Sequence, residues 1–225
     1  MTPPATYEAL ASAVNLTLLN PELTNAQVIE QLELAKRLGL GVATARPCDA
    51  DLAARLLAGS AVRPAAVAGY PYGFQSTGVK LYEVRDLMRR GAREVSVVLG
   101  LSRLLSREFQ HLQTELNQLT EACRGEGARL TILLDVARLT TELKIIAYTC
   151  CERAEIESAG PLGALTPADL ALMQKHLPDE TVIQAPAATL EEALLWLEAG
   201  AGRIATDTPA VILEAWKARL PQDTR

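Results

Sequence analysis

Histidine and lysine are scarce in this chain: two histidines (His111 and His176) and five lysines stand among 225 residues. Cysteine is scarce too, with four, and aromatic residues make up only 4%. Each shortage excludes something. The cysteines and histidines share no CxxC or Cys/His ligand spacing, so no metal site is expected, and no cofactor is called for. Cys48 and Cys123 are isolated. Cys150 and Cys151 adjoin within a helical stretch, where buried reduced thiols are the plain reading and a vicinal redox pair the sharper one. No apolar run escapes a charge or a glycine long enough to span a membrane. A formal charge of −5 gives no basic face for nucleic acid. The stretch MTPPATYEAL has neither a basic nor an apolar signal region, so a cytoplasmic location is expected.

What the chain has in quantity is apolar residues, 49% of the total, arranged in a repeating unit. Short β-type runs fall at 14–19, 41–45, 65–69, 94–100, 130–135, 154–158, 181–185 and 203–207. After each comes a candidate helix cap (Thr24, Asp49, Ser76, Ser106, Thr140, Thr166, Thr189 and Thr208) and then a helical stretch. Val28, Leu32, Ala35 and Leu38 mark the buried stripe of the first. The runs are continuously apolar, as strands covered on both faces are. Eight such units leave no room for a second domain. The pattern predicts an α/β protein, a single (β/α)8 barrel over residues 1–225, with an N-terminal helix within 1–13 capping the barrel bottom and the barrel itself spanning 14–220.

In such a barrel the C-terminal strand ends and their loops carry the chemistry. Here they offer Asn15, Arg46, Ser96, Asp135, Ser158, Gln184 and Asp207, with GYPYGF (69–74) after the third strand. Lys36, Lys80, Lys144, Lys175 and Lys217 all fall in helical stretches, so no amine is expected at a strand top. Lys80 is expected in a structural ion pair and Lys144 in solvent.

Four stretches, in order, resemble one family. NLTLLNPELT (15–24), AGYPYGFQSTGVKLYEV (68–84), GAREVSVVLGLSRLLS (91–106) and LEEALLWLEAGAGRIATDT (190–208) are similar to the opening strand, the third-strand loop and helix, the fourth strand and the closing helix and strand of the deoxyribose-phosphate aldolases. The resemblance runs from Asn15 to Leu213. It implies a barrel whose sixth-strand lysine forms a Schiff base with the donor aldehyde, tuned by a seventh-strand lysine and assisted by aspartates on the first and fourth strands. Carried over residue by residue, these positions hold Asn15, Ser96, Gln184 and, for the nucleophile, some residue of the Glu155–Ser158 region. None is an amine or a carboxylate that could serve in that chemistry. The family's glycine turn after the seventh strand, which holds phosphate, is matched by PAAT (186–189), where Pro186 has no N–H to donate. Asp207 stands in the matching eighth turn.

The resemblance and the replacements together predict a family member without Schiff-base activity that acts by binding, as a regulator or scaffold for a protein partner, with a second copy of the chain as one candidate. Two alternatives remain open: a lyase rebuilt around Arg46, Asp135 and Ser158, and a small-molecule sensor with a pocket among Arg46, Asp135, Ser158 and Asp207. Arg46 could equally pair with Asp135 or Asp49. Tyr70, Tyr72 and Phe74, three of nine aromatics on one loop, read either as a lid over the emptied pocket or as a recognition patch.

Overall fold

Each strand is short because it has only to cross a barrel wall, and apolar on both faces because helices cover one side while packed side chains fill the other. The computed structural model describes residues 4–220; residues 1–3 and 221–225 of the expected single domain lie outside the described residues. The strands are β1 (Val14–Leu18), β2 (Val42–Ala45), β3 (Arg63–Ala68), β4 (Glu94–Val98), β5 (Arg129–Leu134), β6 (Ser158–Pro161), β7 (Val182–Pro186) and β8 (Arg203–Thr206). The helices are α1 (Tyr7–Ser12), α2 (Asn25–Leu38), α3 (Ala50–Leu57), α4 (Thr77–Arg89), α5 (Leu101–Leu105), α6 (Phe109–Gly125), α7 (Thr141–Arg153), α8 (Pro167–His176), α9 (Leu190–Glu198) and α10 (Pro209–Arg219). Every strand pairs in parallel with the next, and β8 returns to β1 with Asn15 opposite Ala205, closing the sheet. This is the expected (β/α)8 barrel. No described helix is long and apolar enough to cross a membrane.

The helix α1 lies across the N-terminal end of the barrel. Its last residues sit so close over β2 that a Cβ on Gly41 would be 2.0 Å from the Ser12 carbonyl oxygen. The Ile204 N–H donates to Ala13 O at 2.9 Å. The helix itself starts where the Thr6 hydroxyl accepts the Ala9 N–H. Four of the eight expected caps make such a bond: Thr24 and Thr166, each within a reciprocal capping box, with Thr140 and Thr189. Asp49 makes none, because its carboxylate is taken by Arg46. Ser106 caps no helix N-terminus; it ends the short α5, and α6 begins after Glu108.

The sixth strand is displaced from its expected position. Residues 154–157 are not strand: α7 ends at Arg153, and Glu155 takes a left-handed turn (φ 52°), its carboxylate pairing with Arg124 at 3.1 Å. The strand begins only at Ser158 and is built of small residues. Packing accounts for this, since a Cβ on Gly160 would lie 3.1 Å from Gln184 Cβ.

Two charged clusters organise the layers. At the lower end of the barrel interior, Glu94 of β4, 1% exposed, accepts hydrogen bonds from Arg203 of β8, Arg63 of β3 and the Thr131 hydroxyl of β5. Because β4 and β8 lie on opposite sides of the barrel, this ion pair crosses it. In the helical layer, Lys80 of α4 is 1% exposed and bonds Glu115 of α6 at 2.8 Å. Lys144 is not solvated as expected; it reaches Asp169 of α8 at 2.6 Å with both side chains largely buried. Burial pushes the Asp169 carboxyl up, but hydrogen bonds from Lys144 and Thr166 outweigh it and hold the group below its usual range.

The cysteines divide by depth. Cys48 is exposed, while Cys123, Cys150 and Cys151 are buried and unbridged. Burial pushes the Cys150 and Cys151 thiols up, and desolvation with the nearby Glu157 carboxylate takes Cys123 to about 12. All three are thiols rather than thiolates at neutral pH, hence poor nucleophiles.

Candidate functional site

Midway up the interior, three uncharged side chains, from β2, β1 and β7, form a hydrogen-bonded chain that passes β8. The Thr44 hydroxyl donates to Asn15 Oδ1 at 2.9 Å, and Asn15 Nδ2 donates to Gln184 Oε1 at 2.8 Å. All three are buried. These are two of the positions at which the resemblance implies an aspartate and a lysine, and here they hold a pair of amides. With Asn15 Oδ1 taking the Thr44 proton, Asn15 Nδ2 faces Gln184 Oε1, and Gln184 Nε2 is turned away from Asn15.

Above this chain opens a cavity of about 620 Å³ at the strand tops. Gln184 forms part of its floor, and Leu133, Pro161, Leu162 and Pro186 are among its walls. One side is the polar face of α2 and the loop before it, with Asn20, Gln27, Glu30 and Gln31. Tyr70, Gly163 and Asp207 complete the rim. Among the described residues no lysine, arginine or histidine lines it.

The site residues expected from sequence are dispersed. Asp207 and Tyr70 line the cavity, and Gln184 floors it. Arg46 does not: Nε bonds Asp49 Oδ2 at 2.6 Å, and the same guanidinium reaches the Asn20 and Pro21 carbonyls at 3.3 Å, gripping the β1–α2 loop. Asp135 lies in a separate groove, where it pairs with Arg138 at 3.0 Å. Ser158 stands at the start of β6, not at its top, and its hydroxyl donates to the Val182 carbonyl at 2.9 Å. Ser96 is buried, with no base in hydrogen-bond reach among the described residues. Arg46, Asp135 and Ser158 therefore share no point at which a reacting atom could sit. Sequence reading passed over Asn20, Gln27, Glu30 and Gln31. Their signal is the spacing of 27, 30 and 31, which puts them on one face of the helix that follows β1.

The turn after β7 has little left to offer an anion. Pro186 has no N–H, the Ala187 N–H donates to Ala205 O at 3.1 Å, and the Ala188 N–H donates to the Glu192 carboxylate at 2.8 Å. After β8, the Thr208 N–H donates to the Thr206 hydroxyl at 3.1 Å.

The third-strand loop is held at both ends. The Gly69 N–H donates to Glu83 at 2.8 Å, and Gly73 (φ 66°) lies so close to β4 that a Cβ would be 2.6 Å from Val98 O. This leaves Tyr72 and Phe74 64% and 71% exposed, stacked on each other with ring centroids 5.8 Å apart. They border the groove that holds Asp135 and do not fill the strand-top cavity. Tyr72→Ala/Phe74→Ala should consequently cost about 1 kcal/mol or less, the worth of a stacked pair, and leave the melting temperature nearly unchanged in a differential scanning measurement. A loss of about 3 kcal/mol would mark a buried lid instead.

No family model matches the chain. Its structure superposes on a putative deoxyribose-phosphate aldolase from Coccidioides immitis with a TM-score of 0.90, at 22% identity, covering 96% of this chain and 88% of that one. On the tetrameric deoxyribose phosphate aldolase of Aeropyrum pernix the TM-score is 0.86 at 24% identity, covering 95% and 93%. The deoxyribose-phosphate aldolase of Caldanaerobacter subterraneus subsp. tengcongensis is 29% identical over 217 residues, 92% of this chain and 94% of the relative. That of Streptococcus sanguinis is 30% identical over 212 residues, 91% of this chain and 96% of its own, and on that extent of similarity the chain belongs to the deoxyribose-phosphate aldolase family.

Proposed function

We propose that this family member forms no Schiff base and works by binding at its strand tops. The observation that carries this is the neutral Asn15–Gln184 pair at 2.8 Å. An imine requires an amine nucleophile whose pKa is lowered by burial or a neighbouring cation. An amide is not nucleophilic, and the Ser158 and Ser96 hydroxyls have no base to activate them. The lysines sit on α2, α4, α7, α8 and α10, and Lys80 and Lys144 are engaged with carboxylates. Incubation with acetaldehyde or deoxyribose 5-phosphate followed by borohydride should leave the intact mass unchanged. A stoichiometric reduced adduct on any lysine would overturn the reading.

A second reading, a scaffold that docks a protein partner, is favoured by the exposed stack of Tyr72 and Phe74 on a loop held rigidly enough to present it. Rings of this kind supply contact area at low entropic cost. The Tyr72→Ala/Phe74→Ala variant, which should keep its stability, is the reagent for testing that surface.

A further inference from the structure

We propose that the strand-top cavity takes a hydroxylated, unphosphorylated ligand carrying a protonated amine, an amino sugar or a molecule of that chemistry. The proposal rests on the non-catalytic reading of the same site. Two independent features of the cavity converge on it.

The first is the floor. Gln184 is 5% exposed, its Oε1 is occupied by Asn15, and its Nε2 has no hydrogen-bond partner among the described residues. An amide donor open to a cavity bonds water there, or an acceptor on a ligand that displaces the water. A hydroxyl or ether oxygen supplies that without bringing charge into the interior. The second is the rim. Asp207 and Glu30 are carboxylates with no cation beside them in the cavity lining, so the mouth favours a positive group and opposes a phosphate. In the turns after β7 and β8, the N–H groups of Ala187, Ala188 and Thr208 are bonded within the protein and so are withdrawn from a phosphate. Between floor and rim, leucine and proline walls suit the C–H faces of a sugar ring. The Asn20 and Gln27 amide oxygens are engaged by the Glu22 N–H and by Thr24, which leaves their NH2 groups to donate to the sugar's hydroxyls, and Gln31 stands beside them. At about 620 Å³ the space accommodates a monosaccharide with room for ordered water.

The test compares three methyl glycosides: of glucosamine, of glucose and of glucose 6-phosphate. None has a free aldehyde, so binding is read without imine chemistry. By calorimetry at low salt the amine should bind tightest, the neutral sugar about three- to fivefold more weakly, as suits exposed carboxylates, and the phosphate weakest. Raising the salt, or the variant Glu30→Gln/Asp207→Asn, should erase the preference for the amine while leaving the neutral sugar bound. In the unmodified protein labelled with 15N, the Gln184 side-chain amide signals should shift on saturation with either unphosphorylated glycoside. A tighter fit for the phosphate, or no saturable binding of the amine with Gln184 unmoved, would overturn the ligand class. The non-catalytic reading falls separately, to a borohydride adduct.

Discussion

Glu94→Gln should lower the unfolding free energy by about 3–5 kcal/mol, the usual result of deleting one partner of a buried ion pair. The substitution keeps the volume and removes only the charge, so no cavity confuses the result. What it leaves behind is the guanidinium of Arg203, 8% exposed, with that of Arg63 at the same carboxyl oxygens. The net worth of the intact cluster is much smaller than that loss, since desolvating the charges costs nearly what their attraction returns. Glu94→Leu/Arg203→Met should therefore recover most of the deficit. Urea denaturation with an unchanged slope is the measurement. A loss below about 1 kcal/mol would mean that water reaches the cluster from the lower end of the barrel.

Gln184→Lys should yield no retro-aldol turnover and should destabilise the fold by about 2–4 kcal/mol at neutral pH, the scale of burying a cation without a partner. The ammonium would stand against Asn15 Nδ2, a donor, where an acceptor is needed. Its pKa in the folded state would fall below that of the unfolded chain. The unfolded state then holds the proton more tightly, so the deficit should shrink as the pH rises toward the ordinary lysine value. Adding Asn15→Asp supplies the missing anion at a contact that is now 2.8 Å. The double variant should be more stable than the sum of the single changes by about 1–3 kcal/mol. It should remain inactive, because Ser158 provides no nucleophile and catalytic groups acting together are strongly non-additive. Turnover in either variant would show that the nucleophile lies elsewhere.

The barrel was legible in the sequence because seven of its strands are continuous apolar runs, each followed by a helix with a periodic stripe. The eighth case fails for a physical reason. Residues 154–158 carry Ala154 and Ile156 in alternation and mimic a strand, whereas the true β6, Ser158 to Pro161, is kept small by Gln184 packed over Gly160. Neither residue is near the other in sequence, so no local pattern records the constraint. The same holds for the floor of the cavity: Asn15 and Gln184 are 169 positions apart, and although each stood out singly as a replacement at a strand top, no local pattern showed that they bond each other. Arg46 and Asp49, three apart, were foreseeable as a pair. Glu94 and Arg203 left a fainter trace. Each lies two residues before an inward-facing position of its strand, Ser96 and Ala205 respectively, so strand alternation places both inside.

Thr44, Asn15 and Gln184 have one property that an acid–amine pair in their place would lack: none of them titrates. Their hydrogen bonds are the same at every pH at which the barrel is folded. A ligand that meets only Gln184 at the floor neither takes up nor releases a proton there, so whatever proton exchange accompanies binding must come from the ligand or from the rim. In calorimetric terms, heats measured in buffers of different ionisation enthalpy will agree for a neutral sugar, apart from what Glu30 and Asp207 contribute.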